Sequence, residues 1–386
     1  MKIAFDGQLL LNEEWTGIAW CAHNLVIELL KDPENTCVLQ CFREGRTDRQ
    51  MGRLKEYRRA GCRIECSRRS SHTLYKLLWL LFPVPYRLFF RTKADITQFF
   101  NYAVPPGVNG KRVTFFHDMS YLSYPHTVSC RTRIWLRLCM KKSCRHADHI
   151  VTVSAFSKSE IVKYLKIPAE QVTVIPCAVD HSVFHPDYEK EQIRRARKKY
   201  GIRQEYFLYM GTIEPRKNLE RLIGAYARLH RKYRKVPQLV LAGRKGWLCA
   251  DIYKKAQKLG LGQNILFTGY VAQEDSPLLL CGAKAFLFPS LYEGFGIPPL
   301  EAMACATPVV ASNAASLPEV VGDAGLLVNP ESEEEICGAM ERMMYDTECR
   351  ERLRKAGMER AGEYTWEKSA AMLMEVYRKL VDAESL

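Results

Sequence analysis

The sequence has no unbroken apolar run of the roughly 18 to 20 residues that a membrane-spanning helix needs, although 47% of its 386 residues are hydrophobic. A membrane-spanning protein is therefore not expected, and the apolar residues must fill globular cores. Nor does the opening, Met1-Lys2-Ile3-Ala4-Phe5-Asp6, look like a secretory leader: it reads as a short strand, which places the expected compartment in the cytoplasm. No Cys-x-x-Cys pair occurs among the fourteen cysteines, and Cys21, Cys139, Cys281 and Cys305 lie in apolar or helical runs. That pattern excludes a zinc ribbon and indicates reduced, buried thiols. Acids are outnumbered, 43 against 57 Lys and Arg, for a formal charge of +14 that falls mostly in the first half.

Such a surface implies anionic partners. The bases are dispersed and accompany no nucleic-acid-binding motif, so nucleic acid is the weaker candidate. An anionic membrane face is the other. The stretch from Leu74 to Lys93, with its aromatic and basic residues, suits a headgroup layer, or else a core helix broken at Pro83 and Pro85 with its arginines reaching outward.

The chain is long enough for two domains of roughly 150 to 200 residues. Apolar runs predict strands at Lys2 to Phe5, Thr36 to Cys41, Cys62 to Cys66, Ile96 to Phe100, Val113 to Phe116, Ile150 to Val153 and Val172 to Ile175. Helical spacing separates several of them, at Ile18 to Leu30, Thr132 to Cys144 and Phe156 to Leu165, where Ser157 and Glu160 suggest a capping box. A second series follows the charged stretch Asp187 to Tyr200, with strands at Tyr206 to Met210, Leu239 to Ala242, Ile265 to Thr268, Ala285 to Phe288, Val309 to Ala311 and Leu326 to Val328. Strand–helix alternation of this kind predicts an α/β protein of two Rossmann-like, doubly wound parallel-sheet domains. We place them at residues 1–187 and 188–365, facing across a cleft, with a last helix, residues 366–386, returning to the first domain.

The most informative segment is Ser290-Leu291-Tyr292-Glu293-Gly294-Phe295-Gly296-Ile297-Pro298-Pro299-Leu300-Glu301. It follows a predicted strand and leads into a helix whose first turn holds two prolines, a position that tolerates proline. Glycines allow the backbone to approach a ligand, and a helix start attracts an anion such as a diphosphate. Glu293 and Glu301 would repel that anion, so they suit neutral hydroxyls, Glu301 those of a ribose and Glu293 those of a sugar. The spacing thus points to a nucleotide-sugar.

Other strand ends add to the picture. Gly211 to Asn218 carries Arg216 and Lys217, adjacent cations able to stabilise a departing diphosphate, with Asn218 as the expected N-cap of the next helix. His117 and Asp118 end an apolar strand, where Asp118 either orients the imidazole or caps the next element. Gly17, in Trp15-Thr16-Gly17-Ile18-Ala19, suits a close backbone approach to phosphate or sugar. Gly243, Arg244, Lys245 and Gly246 follow one strand, while Gly269, Tyr270 and Val271 follow another, where Tyr270 and Val271 are expected to contact the nucleotide base.

With these residues assembled, the chain resembles the family-four, or group 1, retaining glycosyltransferases of the GT-B fold. The resemblance covers nearly the whole chain and is strongest from Tyr206 to Pro330, including Ala302 to Ser312 and Leu317 to Gly325. It implies that Glu293 engages the donor sugar, Glu301 the ribose, Arg216 and Lys217 the diphosphate, and His117 the sugar or acceptor near the reacting carbon. Phe295 and Gly296 would offer backbone N–H groups, with Gly294 and Ile297 beside them. Three positions depart from the family's pattern: Ala19 where a glycine is common, Ala306 within Cys305-Ala306-Thr307, and Cys177-Ala178 where Asn-Gly is usual.

The stretch Phe116 to Leu122 is similar to the mannosyltransferase-like branch, which implies GDP-mannose as donor, with a UDP-sugar as the alternative. The acceptor would be a saccharide or lipid-linked saccharide in cell-surface polysaccharide synthesis, and the enzyme cytoplasmic or peripheral on the inner face of the plasma membrane. No Asp-x-Asp pair stands at a strand end, so transfer without a metal is expected. A nucleotide-sugar epimerase of the same fold and a non-catalytic binding protein are the rival readings.

Overall fold

A computed structural model describes residues 1–42, 47–68 and 70–383, apart from the side chains at 77, 80 and 81. Leu77, Leu80 and Leu81 of the aromatic and basic stretch, and the last three residues of the expected final helix, therefore lie outside the described side chains or residues. The chain divides into two compact units.

The first unit comprises residues up to Leu122, Cys130–Cys177 and the segment from Trp366 onward. Its seven strands are β1 (Lys2–Asp6), β2 (Thr36–Phe42), β3 (Arg63–Ser67), β4 (Ile96–Phe99), β5 (Lys111–Phe115), β6 (His149–Thr152) and β7 (Val172–Val174), in the order β3-β2-β1-β4-β5-β6-β7. All pairings are parallel, as with Ile3 opposite Cys37 and Ile96. Ile3, Ala4, Phe5, Val38 and Leu39 are fully buried, because helices cover both faces of such a sheet. The helix Trp366–Asp382 belongs to this unit and packs on the helix Gly17–Leu30. Ser369 Oγ donates to Pro176 O at 2.8 Å, and the buried Tyr377 hydroxyl to Gln98 Oε1 at 2.7 Å.

The second unit comprises Ala178–Thr365 together with the short segment Ser123–Ser129. Tyr124 of that segment lies 5.5 Å from the Tyr292 ring, and Thr127 O accepts from the Trp247 indole. The strands are β8 (Tyr206–Met210), β9 (Gln238–Ala242), β10 (Ile265–Gly269), β11 (Ala285–Phe288), β12 (Val309–Ser312) and β13 (Gly325–Val328), ordered β10-β9-β8-β11-β12-β13 and all parallel. Chain direction across the sheet reverses between β8 and β11. That reversal is where open parallel sheets hold ligands, beyond the carboxyl ends of the strands.

Each sequence-predicted strand corresponds to one of these, within two residues at either end. Local corrections are instructive. The helix Ala155–Leu165 starts one turn before the expected cap: Ser154 Oγ accepts from Ser157 N at 3.0 Å, while Ser157 is buried and donates to His117 O at 3.3 Å. The first unit ends at Cys177 rather than Asp187, because Ala178 onward joins the second unit's network, where Val179 N donates to Tyr364 O and Cys281 Sγ to His185 O. The helix His72–Leu81 stops just before Phe82-Pro83, since a residue preceding proline is driven out of helical geometry.

Candidate nucleotide-sugar site

Two loops leave the strands that flank the reversal point of the second sheet. After β8, the chain runs through Gly211 to Asn218, with a 3-10 turn at Pro215–Lys217. Beyond β11 it runs through Pro289 to Gly296 into the helix Ile297–Ala304, whose first turn contains both prolines, as the sequence implied. The loops are tied together: Leu291 N donates to Arg216 O at 2.9 Å, and Asn218 Nδ2 to Pro289 O at 3.0 Å and Pro330 O at 2.6 Å. Asn218 does precede the helix Leu219–Lys232, but with φ +60 and no side-chain cap bond. Its amide crosses to the other loop instead, a left-handed geometry that Asn tolerates.

These ties fix a compact charge cluster. Lys217 Nζ lies 2.6 Å from Glu293 Oε1, and Arg216 Nη1 2.9 Å from Glu293 Oε2. Arg216 also donates to Glu214 Oε1 at 2.7 Å and to Tyr292 O at 2.6 Å. Lys217 and Glu293 are each 8% exposed, and Lys217 Nζ sits 4.8 Å over the Phe288 ring. Burial pushes the Glu293 carboxyl up, but Arg216 and then Lys217 outweigh it and hold it at about 2. For Lys217 burial dominates and lowers its pKa, with the Glu293 carboxylate opposing that fall. The cations are thus preorganised by carboxylates rather than extended into solvent. Such fixed charge needs no reorganisation when a reacting group develops negative charge beside it.

Serines hold the glycine turn. Ser316, fully buried, donates to Glu293 O at 3.0 Å and Phe295 O at 2.7 Å, and Ser312 Oγ donates to Ser290 O at 2.6 Å. The Phe295 ring packs edge-on to Tyr364 at 5.7 Å. Gly296 has φ +120, and a Cβ there would lie 2.7 Å from Leu317 Cδ2, so only glycine fits. Among the described residues, the amides of Phe295, Gly296 and Ile297 donate to no acceptor. One turn on, the Glu301 carboxylate has no described partner, and burial raises it to about 7.

The loops after β9 and β10 join the same strand ends. Gly211 N donates to Ala242 O, Ile213 N to Arg244 O, and Gly243 N to Gly269 O, at 2.8 to 2.9 Å. Gly243 has φ +150, and a side chain there would collide with the Gly211 carbonyl. Arg244 is exposed, Tyr270 is 67% exposed and Val271 is buried. The second unit thus brings Arg216, Lys217, Gly243, Arg244, Tyr270, Val271, Glu293, Gly294, Phe295, Gly296, Ile297 and Glu301 to the carboxyl end of one sheet.

Gly17 and His117 belong to the first unit. Gly17 begins its helix and is exposed. The preceding loop is clamped by buried Arg53, which donates to Leu10 O at 3.4 Å and Glu13 O at 3.1 Å and lies 4.3 Å over Trp15. His117 follows β5 and is 7% exposed, with Nε2 3.1 Å from Phe100 O and its ring stacked on Phe115. Burial lowers its pKa, so the imidazole stays neutral near neutral pH. Asp118 does not orient it: Asp118 Oδ1 accepts from Ser120 N at 2.9 Å and Ser120 Oγ at 2.7 Å, capping the next turn. Glu214 and Ser316 escaped sequence reasoning. Glu214, two residues before Arg216, offered the only signal of the two, as an acid beside a cation pair.

The family models for glycosyl transferases group 1 and for glycosyltransferase family 4 match residues 192–360 and 15–183 respectively. The chain belongs to the group 1 glycosyltransferases, and is an enzyme of that class. It is 36% identical over 273 residues to the O-antigen chain mannosyltransferase B of Escherichia coli, covering 70% of this chain and 71% of that one. With the serotype-specific mannosyltransferase WbdA of Escherichia coli it shares 33% identity over 61% of its length, but only 29% of that longer protein. In fold it is similar to Anabaena HepE, solved in complex with UDP and glucose, with a TM-score of 0.75 over 98% of this chain and all of that one, at 19% identity.

Proposed function

We propose that this enzyme transfers a hexose, with retained anomeric configuration, from a nucleoside diphosphate donor to a saccharide or lipid-linked saccharide in cell-surface polysaccharide synthesis. Mannose from GDP-mannose is the first choice, in keeping with the mannosyltransferases to which the chain is similar; a UDP-sugar is the alternative. The observation that carries the reading is the near-buried triad of Arg216, Lys217 and Glu293 beside three amides that, among the described residues, have no acceptor. Arg216 and Lys217 neutralise the departing diphosphate, while the amides at 295 to 297 bind its oxygens or those of the sugar. Glu293, with lone pairs left over from its two ion pairs, accepts from a sugar hydroxyl. Glu301 accepts from the ribose, and Tyr270 and Val271 flank the base, beside Gly243 and Arg244. Of the first unit's residues, Gly17 is assigned to phosphate or sugar and His117 to the sugar or acceptor.

In this reaction the bond from the anomeric carbon to the diphosphate oxygen breaks as the acceptor oxygen bonds to the same face of that carbon. The acceptor's proton passes to the departing phosphate, so no second carboxylate is required, unlike in a retaining glycosidase. The two cations take the place of a metal, and transfer is therefore expected to persist in a chelator. A panel of nucleotide-sugars in a thermal-shift assay tests the donor, since a ligand of the native state raises the melting temperature. GDP-mannose should give the largest rise, followed by transfer to an acceptor. Conversion of donor to an epimer without an acceptor would support the epimerase, and the absence of any turnover would support a binding protein. Association with an anionic membrane through the basic first unit forms part of the same reading.

A further inference from the structure

We propose that the cavity beside the Pro215–Lys217 turn of the second unit is a binding site for a neutral oligosaccharide, separate from the residues assigned to the donor. The inference deepens the reading that the acceptor is a saccharide and rests on it. The cavity measures about 460 Å³, inside the roughly 300 to 1,000 Å³ range of small-molecule sites. Its apolar lining comes from Pro215, Leu219, Ile252 and Leu291, of which Leu219 and Ile252 are fully buried. Its charged lining has both signs, Glu220 and Glu333 against Arg221 and Lys255.

That balance selects the ligand. An anion would meet two carboxylates and a cation two basic groups, whereas a neutral hydroxyl can both donate to a carboxylate and accept from an ammonium or guanidinium. A pyranose supplies several such hydroxyls, and a C–H face for the apolar lining. One of the carboxylates is held in place at a cost to the helix Leu219–Lys232. Gly224 lies inside that helix, where glycine is disfavoured relative to alanine. A Cβ on it would collide with Glu333 Oε1, and the Glu333 carboxyl supplies its three nearest atoms. The missing methyl thus makes room for Glu333, which meets Lys255 Nζ at 3.1 Å. Arg221 Nη1 is held by Asn218 Oδ1 at 3.0 Å, and Asn218 bonds onward to Pro289 O and Pro330 O. With Leu291 N donating to Arg216 O, a saccharide in the cavity packs against the same turn that carries Arg216 and Lys217.

The test is hydrogen–deuterium exchange of the full chain with α-linked mannotriose, and with maltotriose alongside, in the absence of any donor. Peptides covering the first turn of Leu219–Lys232 and the helix Ala250–Lys258 should exchange more slowly, saturably with trisaccharide concentration. Lys255→Ala should weaken the apparent affinity about tenfold or more, the scale of losing one hydrogen bond to a charged group. Gly224→Ala, whose methyl pushes the Glu333 carboxyl aside, should weaken it similarly while melting no lower than the parent. Should one variant fail to fold, the other decides. No protection of these segments by either trisaccharide, parental affinity in the folded variants, or stronger protection by inorganic phosphate would each overturn the proposal. Since no donor enters this assay, protection in a protein that turns over no nucleotide-sugar would refute the transfer reading alone, and transfer without protection here would refute this site alone.

Discussion

Replacing Glu293 by Gln keeps the shape and a hydrogen-bond acceptor but removes the anion shared by Arg216 and Lys217. The carboxyl is held at about 2 against an ordinary 4.5, a separation worth about 3 kcal/mol at neutral pH. Loss of one partner from a buried ion pair costs a similar ~3 to 5 kcal/mol, because the remaining charge is left uncompensated. Arg216 retains Glu214, so the penalty falls mainly on Lys217, which is 8% exposed. At ~2 to 4 °C per kcal/mol for a unit of this size, the variant should melt roughly 6 to 12 °C lower at pH 7. The sign of the pH dependence follows from the lowered carboxyl: its contribution is complete above 4.5 and fades as the pH falls toward 2. Urea unfolding of both proteins should therefore show a constant gap from pH 8 to 5 that narrows below about 4. Equal melting at pH 7, or a gap unchanged at pH 3, would refute the reasoning.

Three further outcomes are expected. Glu301→Gln should be more stable than the parent at pH 8 and indistinguishable at pH 4, since a carboxyl raised to about 7 by burial opposes folding as the pH climbs from 4.5 through that value; thermal melts across the range check this. Lys217→Ala should lower turnover at least ~100-fold, the scale of losing one preorganised donor to a developing charge, measured by steady-state transfer. Gly296→Ala should lose donor affinity and melt lower, because a Cβ would press on Leu317 at a backbone angle that disfavours a side chain, and calorimetric titration with the nucleoside diphosphate reads the first effect.

Much of this architecture was legible because parallel strands are buried on both faces. Tyr206–Met210 and Ala285–Phe288 therefore appear as plain apolar runs, and the glycines and prolines after them mark the turns. The helix Asp48–Arg59 was not legible: it buries only Arg53, Leu54 and Tyr57, too few for a periodic apolar signal. Ser154 and Ser157 compete as caps one turn apart, and only tertiary packing against His117 settles which serine caps. In the site, residue types and spacing implied which side chains gather. That Glu293 bridges both cations was not implied, since it depends on two loops 76 positions apart in sequence being laid side by side by β8 and β11. Ser316 belongs to a third segment and bonds to carbonyls, so nothing in its own neighbourhood announced it.

The central claim is that the second unit grips a nucleotide-sugar by its diphosphate. Calorimetric titration of the protein with GDP, GMP and guanosine, repeated with UDP, UMP and uridine and with Arg216→Ala and Lys217→Ala variants, tests it most directly. Affinity should rise steeply from nucleoside to diphosphate in the parent protein and flatten in both variants. A nucleoside that binds as tightly as its diphosphate, or variants that keep the parental rise, would contradict it.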